Sequence, residues 1–155
     1  WVLYETVDEI RKSLSYYMRE NNIEFINDVP PGLRTPVIYR AELYAIMLSL
    51  LTNALKAVHG YPERKIRVLA NKVDGNLNLH MLNTGKKAPQ EKWQSFFRPF
   101  ITDSISEAGL GVGTGLGLSV IRDTVDEYGG RAQFIEVEQS WQTGLEIILP
   151  YRDEK

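Results

Sequence analysis

The sequence predicts an α+β domain, a two-layer sandwich in which a mixed, mostly antiparallel sheet packs against three helices. Three observations lead to this prediction. A strongly amphipathic helix is expected over about residues 41–59. Two strand-like runs, 65–71 and 76–82, flank the dipeptide Asp74-Gly75. A further helix and two more strand-like runs follow. Because the strands are joined by hairpins and mixed with helices, a layered α+β fold is favoured over a doubly wound parallel sheet.

The first third of the chain predicts a helix and two short strands. Apolar residues at helical spacing continue to Asn21-Asn22, which ends the pattern; they are Val2, Val7, Ile10, Leu14 and Tyr17. Residues 23–27 predict a strand that Pro30-Pro31-Gly32 interrupts, and residues 37–39 predict a second strand. The long helix follows and ends at Gly60, with Pro62 just beyond.

The last third predicts one more helix and the remaining strands. An irregular stretch over residues 83–112 follows the hairpin. A helix is then expected over about residues 116–128, closed by Gly129-Gly130. Residues 130–138 and 144–151 predict the last two strands.

Composition sets limits on the class of protein. The chain has 155 residues, 43% of them hydrophobic and 25% charged, as in an ordinary globular domain. It has no cysteine, which favours a reducing cytoplasm, and no apolar run near the ~20 residues of a membrane helix. A net charge of −2 gives no reason to expect nucleic acid as a partner. Because the chain begins with Trp1 and not methionine, we expect a piece of a longer protein.

A glycine-rich segment precedes the last helix. In residues 109–117, five glycines occupy alternate positions. Glycines let a backbone approach a ligand with its N–H groups free, and the helix N-terminus adds partial positive charge, so a phosphate cradle is one interpretation and a flexible loop the other. The segment lacks the lysine of a P-loop and the third glycine of the dinucleotide fingerprint, so neither of those sites is predicted.

The long helix carries a polar stripe. Its members recur at spacings of seven, four and three and so share one face; they are Glu42, Ser49, Asn53 and Lys56. Such a stripe can be an ordinary solvated face. Yet asparagine is a mediocre helix former, and an amide oxygen can ligate Mg²⁺ beside phosphates that a nearby lysine also reaches. Asn53 and Lys56 are therefore candidates for a phosphate and metal site.

Four short segments, taken in order, resemble a known family. They are Asn53-Ala-Leu-Lys-Ala, Asn83-Thr-Gly, Phe97-Arg-Pro-Phe and Gly113-Thr-Gly-Leu-Gly-Leu. This series is similar to the N, G1, F and G2 boxes of histidine-kinase catalytic domains, whose superfamily includes DNA gyrase, the ninety-kilodalton heat-shock chaperones and mismatch-repair ATPases. The resemblance covers residues 1–155 as one domain. The opening helix, within residues 1–20, is either the domain's own first helix or the end of a linker from a dimerisation domain.

The resemblance implies a role for each matching residue. Asn53 would ligate Mg²⁺, Lys56 would face the phosphates, and Asn83 would take the place of the aspartate that contacts the adenine amino group, with Gly85 in the same turn. Thr143 would lie near the purine. The phosphate-side loop and helix start would comprise Gly111, Gly113, Thr114, Gly115, Leu116, Gly117 and Leu118.

The resemblance also implies a lid over the nucleotide. It would span about residues 101–112 and would be anchored by Phe97 and Phe100. This stretch has few large apolar side chains to offset its ordering entropy. We therefore expect the lid to be mobile without ligand and to tighten when a triphosphate binds.

The implied activity is that of a two-component sensor kinase. ATP and Mg²⁺ would be the cofactors, and the γ-phosphoryl group would pass to a histidine on a separate dimerisation domain of the same, homodimeric parent. A response-regulator receiver domain would be a second partner. Neither His59 nor His80 has the acidic neighbour typical of an acceptor, so the isolated domain is not expected to autophosphorylate. The domain would be cytoplasmic, whether or not the parent is anchored in a membrane.

The sequence departs from the family pattern at four positions. Asn83 replaces the aspartate, and Lys87 replaces the second glycine of the G1 turn. Ser49 stands where many kinases carry a further asparagine or an acidic or imidazole group. Arg98 is the only cation between Phe96 and Gly117. A degenerate nucleotide-sensing module is therefore an alternative function. An ATP-driven clamp is another, but it would need a glutamate near Asn53, and Glu42 is about three turns away.

Overall fold

The computed structural model describes residues 1–98 and 117–152, in which a layer of helices covers one face of a five-stranded sheet. The helices are α1 (Leu3–Ser13), α2 (Ser15–Glu20), α3 (Arg40–Val58) and α4 (Gly117–Glu127). The strands are β1 (Glu24–Asp28), β2 (Lys65–Val73), β3 (Asn76–Asn83), β4 (Arg131–Ile135) and β5 (Thr143–Pro150). Two short 3₁₀ turns, Gln90–Lys92 and Ser95–Phe97, follow β3.

The sheet is mixed and mostly antiparallel, as predicted. Its strand order is β1-β2-β3-β5-β4; β1 runs parallel to β2, and every other neighbouring pair is antiparallel. The helix α3 connects the two parallel strands, which need a crossover of this length. The register pairs Asn83 at the end of β3 with Thr143 at the start of β5. Two residues 60 positions apart in sequence thus become neighbours at one end of the sheet.

The tight turn between β2 and β3 forms where the sequence predicts it. Asp74 and Gly75 both have positive φ, at 51° and 78°. Two successive residues with positive φ match the right-handed twist of a two-residue hairpin. Glycine adopts positive φ at little cost. The turn fixes the register of β3, and with it the position at which β3 ends.

The core lies between α3 and the inward face of the central strands. Leu50, Leu55 and Val58 of α3 have no exposed surface, and neither do Ile66 and Val68 of β2. By length and composition alone, with a mean hydropathy of 1.3, α3 could cross a membrane. However, 44% of its apolar stretch is buried inside the domain. Its apolar side chains therefore serve the core.

The opening helix belongs to the same core. Leu3, Val7 and Ile10 of α1 are at most 4% exposed. The N-terminal residue also binds the segment before α3, since Trp1 donates its indole N–H to the Ile38 carbonyl at 2.7 Å. The Arg40 guanidinium lies 5.3 Å from the centre of the Trp1 ring.

The outward face of the sheet is polar. His80 on β3 contacts the Glu146 carboxylate on β5 at 2.8 Å, and Gln133 on β4 donates to the other oxygen of Glu146 at 2.6 Å. These bonds cross three adjacent strands. His80 thus has a structural role in this face, in agreement with its lack of an acceptor context.

One predicted strand and two predicted boundaries were wrong. Residues 37–39 form no strand: Val37 and Tyr39 are 77% and 78% exposed, and the described residues offer the segment no neighbouring strand. The opening helix is interrupted at Leu14, where the Ser13 and Ser15 hydroxyls bond to the carbonyls of Ile10 and Lys12 and compete with the helical pattern. The strand predicted over residues 130–138 ends at residue 135, where its pairing with β5 ends.

Candidate functional site

The polar residues of α3 lie on the side of the helix that faces away from the deepest core. Asn53 and Lys56 are half-buried, while Ala54 and Leu55 between them are almost completely buried. Within residues 1–98 and 117–152, neither Asn53 nor Lys56 has a side-chain hydrogen bond or an ion pair. Within this part of the chain, nothing competes with a ligand for either side chain.

The turn after β3 is fastened to the end of α3. A methyl group placed on Gly85 would lie 2.0 Å from the Ala57 carbonyl oxygen and 2.6 Å from the Val58 Cα atom. The Lys86 amide donates to the same carbonyl at 2.8 Å. Because only glycine allows this approach, Gly85 places the end of β3 directly beside the turn of α3 that carries Lys56.

Asn83 is the buried polar residue of this turn. It is 2% exposed, and its side-chain oxygen Oδ1 accepts a hydrogen bond from the Gly85 amide at 2.9 Å. Its backbone carbonyl accepts from the Gln142 amide at 2.9 Å. The side chain thus helps to hold the turn in addition to any contact with a ligand.

Thr143 fastens the turn from the other side. Its hydroxyl donates to the Lys86 carbonyl at 2.9 Å and accepts from the Ala88 amide at 3.2 Å. Thr143 is 7% exposed, so these bonds are shielded from water. The structure pairs Thr143 with Asn83, and the Thr143 hydroxyl is used by the backbone of residues 86–88.

The helix α4 is positioned against α3 by a contact at its far end. The Tyr128 hydroxyl donates to Glu42 Oε1 at 2.6 Å and accepts from the Tyr39 amide at 3.1 Å. Burial, and then the hydrogen bond to Glu42, raise the pKa of the Tyr128 phenol above its usual value.

The helices α3 and α4 pack against each other. The bonds of Tyr128 fix the end of α4 against the beginning of α3. At its other end α4 begins with Gly117 and Leu118.

An aromatic cluster holds the segment that leads away from the turn. Phe97, 6% exposed, lies 5.5 Å from the Phe134 ring of β4, and Phe96 lies 6.0 Å from it, both edge-on. Trp93 stacks on the same ring at 6.0 Å and donates its N–H to the Ala88 carbonyl at 2.8 Å. The segment is thus anchored immediately before residue 99.

Lys87 lies at a cavity on one side of the turn. The cavity has a volume of about 640 Å³ and is lined by residues of 87–93 and 134–143, including Thr143 but not Asn53, Lys56 or Asn83.

The structure describes only part of the predicted site. Asn83, Gly85 and Thr143 lie together at one end of the sheet, and Gly85 contacts Ala57, the residue after Lys56 on α3. Asn53 lies one turn earlier on α3, and Gly117 and Leu118 begin α4. The other predicted phosphate-loop residues lie outside the described residues, as do Phe100 and the predicted lid; they are Gly111, Gly113, Thr114, Gly115 and Leu116.

Two residues were missed by the sequence analysis. Tyr128 was seen only as the last residue before a glycine pair, although it sets the packing of α4. Ala57 contributes through its carbonyl oxygen, which no pattern of side chains can indicate. The position of Glu42 on the polar stripe was the one available signal, and the sequence does not indicate that this carboxylate accepts from Tyr128.

The fold and the site define a class, a nucleotide-binding domain of the layered α+β type. The sequence profile of the family described as "Histidine kinase-, DNA gyrase B-, and HSP90-like ATPase" matches residues 39–153. The chain belongs to this family, and its relatives place it with the catalytic domains of sensor histidine kinases.

Two curated relatives are a nitrogen regulation protein and a transport sensor protein. Over 153 residues the chain is 29% identical to the nitrogen regulation protein NtrY of Azorhizobium caulinodans, an alignment covering 94% of this chain and 19% of NtrY. Over 111 residues it is 32% identical to the C4-dicarboxylate transport sensor protein DctB of Rhizobium meliloti, covering 72% of this chain and 16% of DctB. The chain thus spans less than a fifth of the length of these two relatives.

Solved structures agree with the fold. The nucleotide-free catalytic domain of the histidine kinase ThkA is similar with a TM-score of 0.80 and 25% identity, over 97% of this chain and 95% of that one. ThkA in complex with the response regulator protein TrrA gives a TM-score of 0.77 at 21% identity, over 98% of this chain and 41% of that one. None of these comparisons supports the degenerate nucleotide-sensing module.

Proposed function

We propose that this domain binds ATP with Mg²⁺ and presents the γ-phosphoryl group to a histidine of a separate dimerisation domain in the same parent protein. One observation carries the proposal. Gly85 packs against Ala57 in the last turn of α3, and Lys56 and Asn53 on that part of the helix are a cation and an amide without partners among the described residues. Buried or half-buried polar groups that lack protein partners are suited to a polar ligand.

The donor set fits a magnesium nucleotide. The Asn53 amide oxygen is a hard ligand of the kind that Mg²⁺ accepts when phosphates and water complete its coordination. The described residues hold no group of three acidic, histidine or cysteine side chains that could bind a metal alone. We therefore assign Asn53 to the metal and Lys56 to the phosphates. When bound, the metal would neutralise charge on the transferring phosphoryl group.

The chain's own residues would act by positioning. Lys56 would hold the phosphates at the start of α4, where the partial positive charge of Gly117 and Leu118 favours anions. Gly85 would keep the base end of the nucleotide at a fixed distance from α3. Transfer to an in-line acceptor depends mainly on such positioning and on charge stabilisation.

The acceptor would come from outside this chain. Since His80 pairs with Glu146 and His59 is followed in the sequence by Gly60 and not by an acidic residue, we do not expect autophosphorylation of the isolated domain. We place the domain in the cytoplasm of a homodimeric parent, with a response-regulator receiver domain as its second partner. The TrrA-bound state of ThkA supports such a partner by analogy.

The test is calorimetric titration of ATP with and without Mg²⁺ into wild type, Asn53→Ala and a control, Asn71→Ala, which removes an exposed amide from β2. Asn53→Ala should lower the affinity for Mg·ATP about tenfold and reduce its dependence on Mg²⁺, as expected for the loss of about 1.4 kcal/mol. Asn71→Ala should behave as wild type. Equal affinities of wild type and Asn53→Ala for Mg·ATP would remove Asn53 from the metal role.

A further inference from the structure

The cavity beside Lys87 has aromatic walls. Its volume of about 640 Å³ lies within the range of small-molecule sites. Trp93, Trp141 and Phe134 line it, and the two indoles are only half-buried by the protein. Such side chains offer large apolar surfaces whose burial favours binding, and the faces of their rings attract cations. The walls therefore suit a ligand with an apolar body.

The walls of the cavity are held by contacts within the protein. The Trp93 indole N–H donates to the Ala88 carbonyl at 2.8 Å, and the Trp93 ring stacks on Phe134 with 6.0 Å between the ring centres. The backbone before Trp141 is turned, with the Trp141 amide donating to the Glu138 carbonyl at 3.0 Å. A ligand would meet walls that are already in place, so little ordering entropy would be lost on binding.

The charged side chains that line the cavity are mostly acidic. They are three carboxylates and one ammonium group, Glu91, Glu136, Glu138 and Lys87. All four side chains are exposed, and within residues 1–98 and 117–152 none of them forms a hydrogen bond or an ion pair. No partner in this part of the chain neutralises the carboxylates, so the cavity would attract a cation and repel an anion such as a triphosphate.

We propose that this cavity is a second ligand site, for an organic cation with an aromatic or aliphatic body. The body would lie against the indoles, and the cationic group would face the carboxylates. The site is separate from the one proposed for the nucleotide, because Asn53, Lys56 and Asn83 do not line the cavity. The inference therefore holds or fails independently of ATP binding.

The tryptophans of the chain are built-in reporters for the test. There are three, of which Trp93 and Trp141 line the cavity, whereas Trp1 donates its indole N–H to the Ile38 carbonyl elsewhere. Heteronuclear NMR of the isotope-labelled chain follows each indole N–H group separately. The probes are phenethylammonium, phenethyl alcohol and hydrocinnamate, which share one aromatic ring and differ in charge.

Phenethylammonium should shift the resonances of Trp93 and Trp141 until they saturate, with Trp1 unchanged. It should bind about fivefold more tightly than the alcohol and about tenfold more tightly than the anionic hydrocinnamate, as expected for cation–π contacts and exposed carboxylates.

Substitution of two carboxylates isolates the contribution of charge. Glu136→Gln and Glu138→Gln, combined in one chain, nearly keep the shape of both side chains and remove their charge. Glu127→Gln is the matched control, because Glu127 is an exposed carboxylate of α4 that does not line the cavity. The double variant should bind phenethylammonium about fivefold more weakly than wild type and bind the alcohol equally well. Glu127→Gln should bind both probes as wild type does.

Three results would overturn the inference. The first is the lack of any saturable shift of Trp93 and Trp141 with phenethylammonium. The second is an affinity of wild type for hydrocinnamate that equals or exceeds its affinity for phenethylammonium. The third is an affinity for phenethylammonium that the double variant leaves unchanged. The first two results come from wild type, so they do not depend on the folding of a variant.

Discussion

Substituting Gly85 by alanine should separate the end of β3 from α3. The added methyl carbon would lie 2.0 Å from the Ala57 carbonyl oxygen and 2.3 Å from its carbon, whereas real Cβ contacts essentially never fall below 3.0 Å. The neighbouring atoms are backbone atoms of a helix, so they cannot rotate away. Relief therefore requires a movement of at least 1 Å between the two elements.

The cost can be assembled from the contacts that this movement breaks. Overpacking of a rigid interior costs about 1–3 kcal/mol. The hydrogen bond from the Lys86 amide to the Ala57 carbonyl is lost as well, at about 1 kcal/mol. We expect Gly85→Ala to lower the free energy of unfolding by about 3 kcal/mol and Tm by about 10 °C, given roughly 2–4 °C per kcal/mol at this chain length.

Thermal and urea denaturation measure this effect, and Gly32→Ala is the matched control. Gly32 has no atom within 4 Å of an added methyl group and no positive φ. Its substitution should change Tm little or raise it slightly, because alanine restricts the unfolded chain. If Gly85→Ala were as stable as Gly32→Ala, the close approach of β3 to α3 would be contradicted, and with it the positioning of Asn83 beside Lys56.

Two further predictions concern the contacts around this turn. Thr143→Val should lower the free energy of unfolding, measured in urea, by about 1–2 kcal/mol and should speed hydrogen exchange of the Ala88 amide. Thr143→Ser should retain both hydrogen bonds and stay near wild type. An equal loss of stability in the two variants would refute a role for the hydroxyl. Tyr128→Phe should lower stability by about 1 kcal/mol at neutral pH through loss of the bond to Glu42. Because the pKa of Tyr128 is raised in the folded state, its contribution is complete below the phenol's ordinary pKa of 10.0 and is lost as pH rises through the folded value. Wild type should therefore lose more stability above that pH than Tyr128→Phe, and parallel stability curves would contradict this.

Local patterns predicted the central elements because several signals agreed. The long helix, expected over residues 41–59, is found at Arg40–Val58, where apolar periodicity and a terminal glycine act together. The hairpin follows from Asp74-Gly75, whose backbone angles are those of the predicted turn. Such elements depend on nearby residues, so a sequence is sufficient to predict them.

The strand expected over residues 37–39 was wrong for a physical reason. Valine, isoleucine and tyrosine favour strands because they pack on a pleated sheet, and this propensity is effective only where a neighbouring strand exists. Here the Ile38 carbonyl accepts from the Trp1 indole, and the Tyr39 amide donates to the Tyr128 hydroxyl. Partners this distant in sequence cannot be inferred from the local pattern.

The sequence could name candidate side chains for the site but not the atoms that support them. Asn53 and Lys56 stand out as unusual residues on a polar face, and the structure shows Gly85 packed against Ala57, the residue after Lys56. The atoms that hold the site together are the Ala57 carbonyl and the backbone of residues 86–88. Every residue carries such atoms, so their use leaves no trace in the sequence except a glycine where a side chain would not fit.

The atoms that support the turn differ from the side-chain atoms that could contact a ligand, so the two can be changed separately. Because backbone groups and Gly85 hold the turn, the NH₂ end of the Asn83 amide can be replaced while an oxygen remains for the Gly85 amide. Asn83→Asp should therefore change the affinity for ATP more than it changes Tm, whereas Gly85→Ala should lower both Tm and that affinity. These different patterns in the two variants would separate contact with the nucleotide from support of the site.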